Sequence, residues 1–191
     1  MGRDKALLTW QGESFLAIAL RNVKTVCDSP VIVGDAGKYS NFGRVVEDVF
    51  PSCGPLGGIH AALQSSPTEL NLILSVDLPL MTGEFLRWMV AQAVTGGEVA
   101  TVPQLDGRYE PLCAIYRQGI LPVVESALRA GDYKVGRVFA RVATRTICEA
   151  EITGAGFAAG IFRNVNTPKD YEWLTRRSAG AETEAFADQP K

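Results

Sequence analysis

The sequence predicts a three-layer α/β fold with a mostly parallel sheet. Three observations carry that expectation. Strand-like and helix-like segments alternate through the first half of the chain. The 191 residues are 47% hydrophobic, enough for one full core. The short apolar run Leu72, Ile73, Leu74 and Val76 has the length and flanks of a strand buried on both faces. One domain over residues 1–177 is expected. A polar, Ala- and Glu-rich stretch over 178–191 has the composition of a disordered tail.

Taken in order, Asp4 and Lys5 precede Ala6, Leu7 and Leu8, and Gly12 marks a turn. Ser14 is a suitable N-cap for an amphipathic helix in which Leu16, Ala19, Leu20 and Val23 recur at i, i+3, i+4 and i+7. Asp28-Ser29-Pro30 ends it, residues 30–33 read as a strand, and residues 34–37 read as a loop. Val45-Val46 is a brief strand that delivers Glu47 and Asp48 into the next loop. The stretch 51–59, PSCGPLGGI, has the glycines that tight turns and close backbone approach require. Residues 59–64 look helical, so amides near Gly57 and Gly58 either open a helix that attracts anions or simply turn a loop.

The apolar run ends at Asp77, with Leu78 and Pro79 next. Proline cannot continue a central ladder, so the strand stops near Asp77 and leaves a carboxylate at its carboxyl end. That edge is where open α/β sheets bind ligands. Desolvating a carboxylate there is costly without a cation or donors. Asp77 is read either as a Mg²⁺ ligand or as a cap for the next helix. That helix covers 83–93, with Phe85, Leu86, Met89, Val90 and Ala93 on its core side. Residues 99–103 and 111–116 read as strands of a hairpin, with Asp106-Gly107 as a turn. Helices over 120–130 and 135–140 and a strand over 144–148 follow. Pro168 fits the first turn of a last helix through Leu174.

Composition excludes several function classes. A net charge of −2 implies no basic face for nucleic acid or anionic membrane. No apolar run reaches the ~20 residues of a membrane span, and the first residues lack the apolar segment of a signal peptide. The four cysteines have no paired or zinc-like spacing, and are read as reduced thiols of a cytoplasmic protein, mostly in its core. His60 is the only histidine, which removes any poly-histidine metal site. Chemistry must come from carboxylates, lysine, backbone amides and a metal.

Several segments share an order and spacing: Met1-Gly2-x-Asp4-Lys5-Ala6-Leu7, Glu47-Asp48, residues 54–59 (GPLGGI), Asp77-x-Pro79, residues 106–112 (DGRYEPL) and residues 164–168 (NVNTP). Together they resemble the molybdenum cofactor guanylyltransferases, the MobA-like branch of the sugar-phosphate-type nucleotidyltransferases, over residues 1–174. The resemblance implies a Rossmann-like, nucleotide-diphospho-sugar-transferase-like fold. It implies transfer of GMP from GTP to molybdopterin, with Mg²⁺, and partners among molybdenum-insertion proteins and molybdoenzyme apoproteins. By residue, it implies Asp77 as metal ligand and, with Lys5, as catalytic residue. Lys5, Asp48, Pro55, Gly57 and Asp77 would bind nucleotide. Asn164, Asn166, Arg108 and Glu110 would face the acceptor, with Asn166 a candidate second metal ligand.

There are two departures. The family's first strand and glycine-rich loop, of the form L-A-G-G-x-S-x-R, would precede Met1-Gly2. The native protein is therefore expected to carry roughly 10–20 further residues upstream. That strand is an inner one, so its absence should leave a slot of unpaired ladder groups, each costing roughly 1–3 kcal/mol if buried and unsatisfied. Without the loop, the chain starting at Met1 should bind GTP weakly. In addition, Gly34 stands where relatives often carry an amide side chain facing the base, which keeps CTP open as the nucleotide. A non-catalytic cofactor-binding module is the reading from another class.

Overall fold

The computed structural model describes residues 4–186; Met1 and Gly2 of the opening motif lie outside them. Asp4 caps a short 3₁₀ turn, Lys5–Leu7, through a bond from Ala6 N–H. A two-stranded hairpin follows, β1 (Thr9–Trp10) and β2 (Glu13–Ser14), around Gln11 and Gly12 at φ 51° and 82°. Helix α1 (Phe15–Val23) begins at Ser14, whose hydroxyl accepts the Ala17 N–H at 3.2 Å, as the capping chemistry predicts. Strand β3 (Val31–Val33), helix α2 (Ala36–Tyr39) and strand β4 (Arg44–Val46) come next. The loop expected at 34–37 is thus partly helical, because the Asp35 side chain accepts the Gly37 N–H at 2.8 Å and caps it.

Helix α3 (Pro55–Ser65), strand β5 (Leu70–Leu74) and helix α4 (Gly83–Thr95) carry the chain across Asp77. Strand β6 (Ala100–Leu105) turns at Asp106-Gly107, both at positive φ (48° and 73°), into β7 (Arg108–Tyr109); β8 (Cys113–Arg117) then returns along β6. Helices α5 (Leu121–Arg129) and α6 (Val135–Phe139), strand β9 (Thr144–Cys148) and helix α7 (Glu149–Gly154) precede the last helix, α8 (Pro168–Phe186). Helix α8 runs past Leu174, where it was expected to stop, and into the stretch expected to be a tail. Residues 187–191 lie outside the described residues.

The main sheet has the order β5-β8-β6-β7, with β9 also on β6. Both β5 and β6 are antiparallel to β8, and β9 is parallel to β6. Hence β5, β6 and β9 run one way, and β8 and the short β7 run against them. Alternation along β8 shows the three layers. Ala114 and Tyr116 face a core with Leu56, Ile59 and Leu63 of α3, Val124 and Leu128 of α5, and Phe139 of α6. Cys113 and Ile115 face the opposite core, with Phe85, Leu86 and Met89 of α4 and Ile152 of α7. Cys53 and Cys113 are buried as expected, whereas Cys27 and Cys148 are exposed; all four are free thiols.

Strands β3 and β4 form a separate parallel pair. Among the described residues, β3 bonds only to β4 and β5 only to β8. Both faces of β5 are covered as expected, Ile73 against one core and Leu72 and Leu74 against the other, but all three are only half-buried, since β5 has a ladder partner on one side only. Helix α3 touches both β3 and β5, so side-chain packing, not backbone bonding, holds the two sheets together.

Candidate active site

Asp77 lies three residues beyond the end of β5, after Ser75, whose N–H donates to the Leu112 carbonyl oxygen at 2.7 Å. Pro79 is buried and the chain then turns into α4. Asp77 does not cap that helix: Thr82 does, accepting the Phe85 N–H at 3.2 Å. The Asp77 carboxylate instead lines an open cavity of about 220 Å³ with Pro55, Ser75, Leu78, Glu110, Pro111, Leu112, Asn164 and Asn166.

The loop from Arg163 to Thr167 crosses directly over this acid. Val165 is buried, and its N–H donates to the Asp77 carbonyl oxygen at 2.9 Å. With its amide nitrogen toward the acid, Asn164 donates to both Asp77 carboxylate oxygens at 3.1 and 3.2 Å; the reverse orientation would set oxygen against oxygen. Lys5 reaches in from the other end of the chain, and its ammonium donates to Asn166 Oδ1 at 2.7 Å.

Glu110 enters the same cavity from the turn after β7 and is half-buried. Burial, and then the charge of Asp77, push its carboxyl above the ordinary glutamate value. Two carboxylates facing one cavity repel each other until a cation lies between them. Among the described residues, no group of three or more His, Cys, Asp or Glu side chains is placed to hold a metal. A hard cation that takes one or two carboxylates and completes its shell with water and substrate phosphate fits this donor set.

Helix α3 points its N-terminus at the cavity, with Gly54 at φ 62° as its N-cap and Pro55 at its first position. No side chain hydrogen-bonds to it as a cap, and a helix start attracts anions; the Asp48 carboxylate lies beside its first turn. The helix starts earlier than the Gly57-Gly58 amides suggested. Pro55 has no N–H to give, and the Gly57 N–H donates to the Gly54 carbonyl oxygen at 3.2 Å. Gly57 serves close packing instead, since a Cβ there would lie 2.6 Å from Asp48 Oδ2 and 2.8 Å from the Phe50 carbonyl oxygen. Asp48 accepts the Phe50 N–H at 2.7 Å and folds its loop onto the first turn of α3.

Of the residues singled out from the sequence, Asp77, Pro55, Glu110, Asn164 and Asn166 line one cavity, with Lys5 bonded to its rim. Asp48 and Gly57 lie behind the helix N-terminus and do not line it. Arg108 is exposed on β7, away from the lining. At Gly34, a Cβ would meet the Tyr39 ring at 2.9 Å, so Tyr39 already fills the space a side chain there would take. The Tyr39 hydroxyl donates to Asp4 Oδ2 at 2.7 Å; burial and that carboxylate push the phenol up to about 12. Neither Tyr39 nor Asp170, described below, was found from the sequence. A helix cap at Asp35 and the Thr-x-x-Asp spacing at 167–170 are the signals that could have found them.

Two carboxylates, the start of α3 and an ammonium bonded at the rim thus meet around one cavity, a donor set suited to a hard cation and to phosphate, and the domain that carries it is that of the α/β nucleotidyltransferases. The comparisons with known proteins agree. The family model described as the MobA-like NTP transferase domain matches residues 1–147, and the chain belongs to that family. It is 32% identical over 177 residues to a probable molybdenum cofactor guanylyltransferase of Carboxydothermus hydrogenoformans, across 92% of this chain and 89% of that protein. It shares its fold with molybdopterin-guanine dinucleotide biosynthesis protein A of Archaeoglobus fulgidus, at a TM-score of 0.80 and 21% identity over 94% of this chain and 92% of that one. A Mycobacterium tuberculosis protein solved as a manganese complex has the same fold, at a TM-score of 0.65 and 18% identity over 92% of this chain and 93% of that one.

Proposed function

We propose that this protein transfers GMP from GTP to the terminal phosphate of molybdopterin, releasing pyrophosphate. The observation that carries the reading is Asp77 at the strand end, held at both carboxylate oxygens by Asn164 and facing the uncapped N-terminus of α3 across one cavity. An acceptor phosphate oxygen attacks the α-phosphorus, and the bond from that phosphorus to the oxygen bridging to the β-phosphate breaks. Pyrophosphate leaves with the electron pair. The attacking phosphate is already ionised near neutral pH, so no general base is needed. The demand on the protein is in-line positioning and charge neutralisation.

Asp77 would hold Mg²⁺, with Glu110 or the Asn166 amide oxygen as the second protein ligand. The ion would supply charge neutralisation to the phosphates. Lys5 leaves Asn166 to meet the triphosphate as a point charge. The α3 N-terminus faces the same anion, and Asp48 lies on the nucleoside side. Asn164 keeps the Asp77 carboxylate aimed at the cavity, and an acceptor long enough to extend past the cavity would meet Arg108, exposed on β7.

Pyrophosphate release is measured with molybdopterin, Mg²⁺, and either GTP or CTP. GTP should be used and CTP should not; a preference for CTP moves the protein to the cytidylyl branch. Asp77→Asn should remove turnover while the melting temperature stays near wild type. Wild-type turnover by that variant at saturating Mg²⁺ would overturn the assignment of Asp77.

A further inference from the structure

We infer that Asp170, outside the cavity, is a positioning residue that holds the Asn164–Asn166 loop over Asp77. The inference rests on the reading of Asp77 as a cation ligand given above. A single carboxylate oxygen of Asp170 takes three donors: the Thr167 N–H at 2.8 Å, the Thr167 hydroxyl at 2.8 Å and the Asn166 N–H at 3.1 Å. Thr167 Oγ1 accepts the Asp170 N–H at 3.2 Å in return. A reciprocal helix cap accounts for the two contacts that join Thr167 N–H and Asp170 N–H to each other's side chains. It does not account for the bond to Asn166, one residue further out of the helix.

From that bond the connection runs residue by residue into the cavity. Asn166 bonds Lys5 through its side chain, Val165 bonds the Asp77 carbonyl through its backbone, and Asn164 bonds the Asp77 carboxylate. Arg163, at the far end of the loop, lies with its guanidinium 3.5 Å from the centre of the Trp173 ring, one helical turn along from Asp170. The loop is therefore fixed to α8 at both ends and to Asp77 in the middle. Loosening the Asp170 end frees the backbone of Asn166 and, through it, the two contacts that aim the Asp77 carboxylate.

The test compares Asp170→Ala, Asp170→Glu, Asp77→Asn and Ile152→Ala in the full chain. Ile152 is a buried residue of α7 in the core that also holds Leu78 and Phe162, and the variant controls for loss of stability in that core without touching the Asp170 contacts. Binding of Mn²⁺ in the presence of a GTP analogue with a non-cleavable α,β linkage is read by electron paramagnetic resonance, alongside kcat and KM. Asp170→Ala should weaken Mn²⁺ binding about tenfold or more, as loss of an outer-shell partner does, and lower kcat with it. Asp170→Glu keeps an acceptor at the cap and should recover most of that loss. Ile152→Ala should lower the melting temperature and leave Mn²⁺ affinity near wild type. If Asp170→Ala lowers only the melting temperature while Asp77→Asn abolishes Mn²⁺ binding, Asp170 is a helix cap and this inference fails alone. If Asp77→Asn leaves Mn²⁺ binding intact, the underlying reading of Asp77 fails and takes this inference with it.

Discussion

Replacing Gly57 by alanine puts a methyl group into space already taken. The new carbon would stand 2.6 Å from Asp48 Oδ2 and 2.8 Å from the Phe50 carbonyl oxygen, and the latter is backbone that cannot swing aside. At Gly58, the next residue of the same helix, nothing lies within 4 Å of the equivalent methyl. The two substitutions share the gain in helix propensity of about 1 kcal/mol, but only Gly57→Ala meets an overpacking cost of about 1–3 kcal/mol. Gly58→Ala should raise the melting temperature by about 2–4 °C. Gly57→Ala should end below wild type by a net loss on the order of 1 kcal/mol. Thermal unfolding of the three proteins under one set of conditions reads both. Because the Asp48 loop must move to admit the methyl, Gly57→Ala should also raise KM for GTP while Gly58→Ala leaves it unchanged. A Gly57→Ala protein that melts at or above wild type would refute the packing argument.

Two further outcomes follow from the geometry. Lys5→Met removes a charge-assisted bond, so KM for the nucleotide should rise by about 10- to 100-fold, corresponding to about 1.5–3 kcal/mol; steady-state kinetics that show no change would remove Lys5 from the site. Glu151 is held down to about 2, first by the Arg145 guanidinium and then by the Cys148 N–H. A depressed carboxyl stabilises the fold above its unfolded value of 4.5 and loses that contribution as pH falls toward about 2. The pair is partly exposed, so the effect is modest. Glu151→Gln should flatten the stability profile between those two pH values, and an unchanged acid limb in urea titrations would contradict it.

What could be read from the sequence was local chemistry with a fixed geometric demand. Ser14 caps α1 because its hydroxyl suits the orphan N–H groups of a helix start. Asp106 and Gly107 turn because both tolerate positive φ. Asp77 was legible as the acid where an apolar run meets a proline, and the Asn-x-Asn loop through its resemblance. What could not be read depended on partners distant in sequence. The half-burial of Leu72 and Leu74 follows from which strands bond β5, which no local pattern states. Helix α2 is four residues long, too short to show periodicity, so the Tyr39 ring beside Gly34 went unseen. Asp48 and Gly57 were read as nucleotide contacts through the resemblance; that they also pack against each other depends on how the 47–54 loop folds back on α3, which no local pattern states. Asp170 was obscured by Pro168, which announced the helix but said nothing of the carboxylate two positions on.

The pairing of β3 with β4 alone has a mechanical consequence. Among the described residues, the segment that presents Gly34, Tyr39 and Asp48 is joined to the main sheet by side-chain contacts rather than by a shared ladder. Asp77 and Glu110, by contrast, are tied into that sheet through Ser75 and Pro103. Amide exchange should report the difference, with Ile32 and Val33 opening well before Ala114 and Ile115.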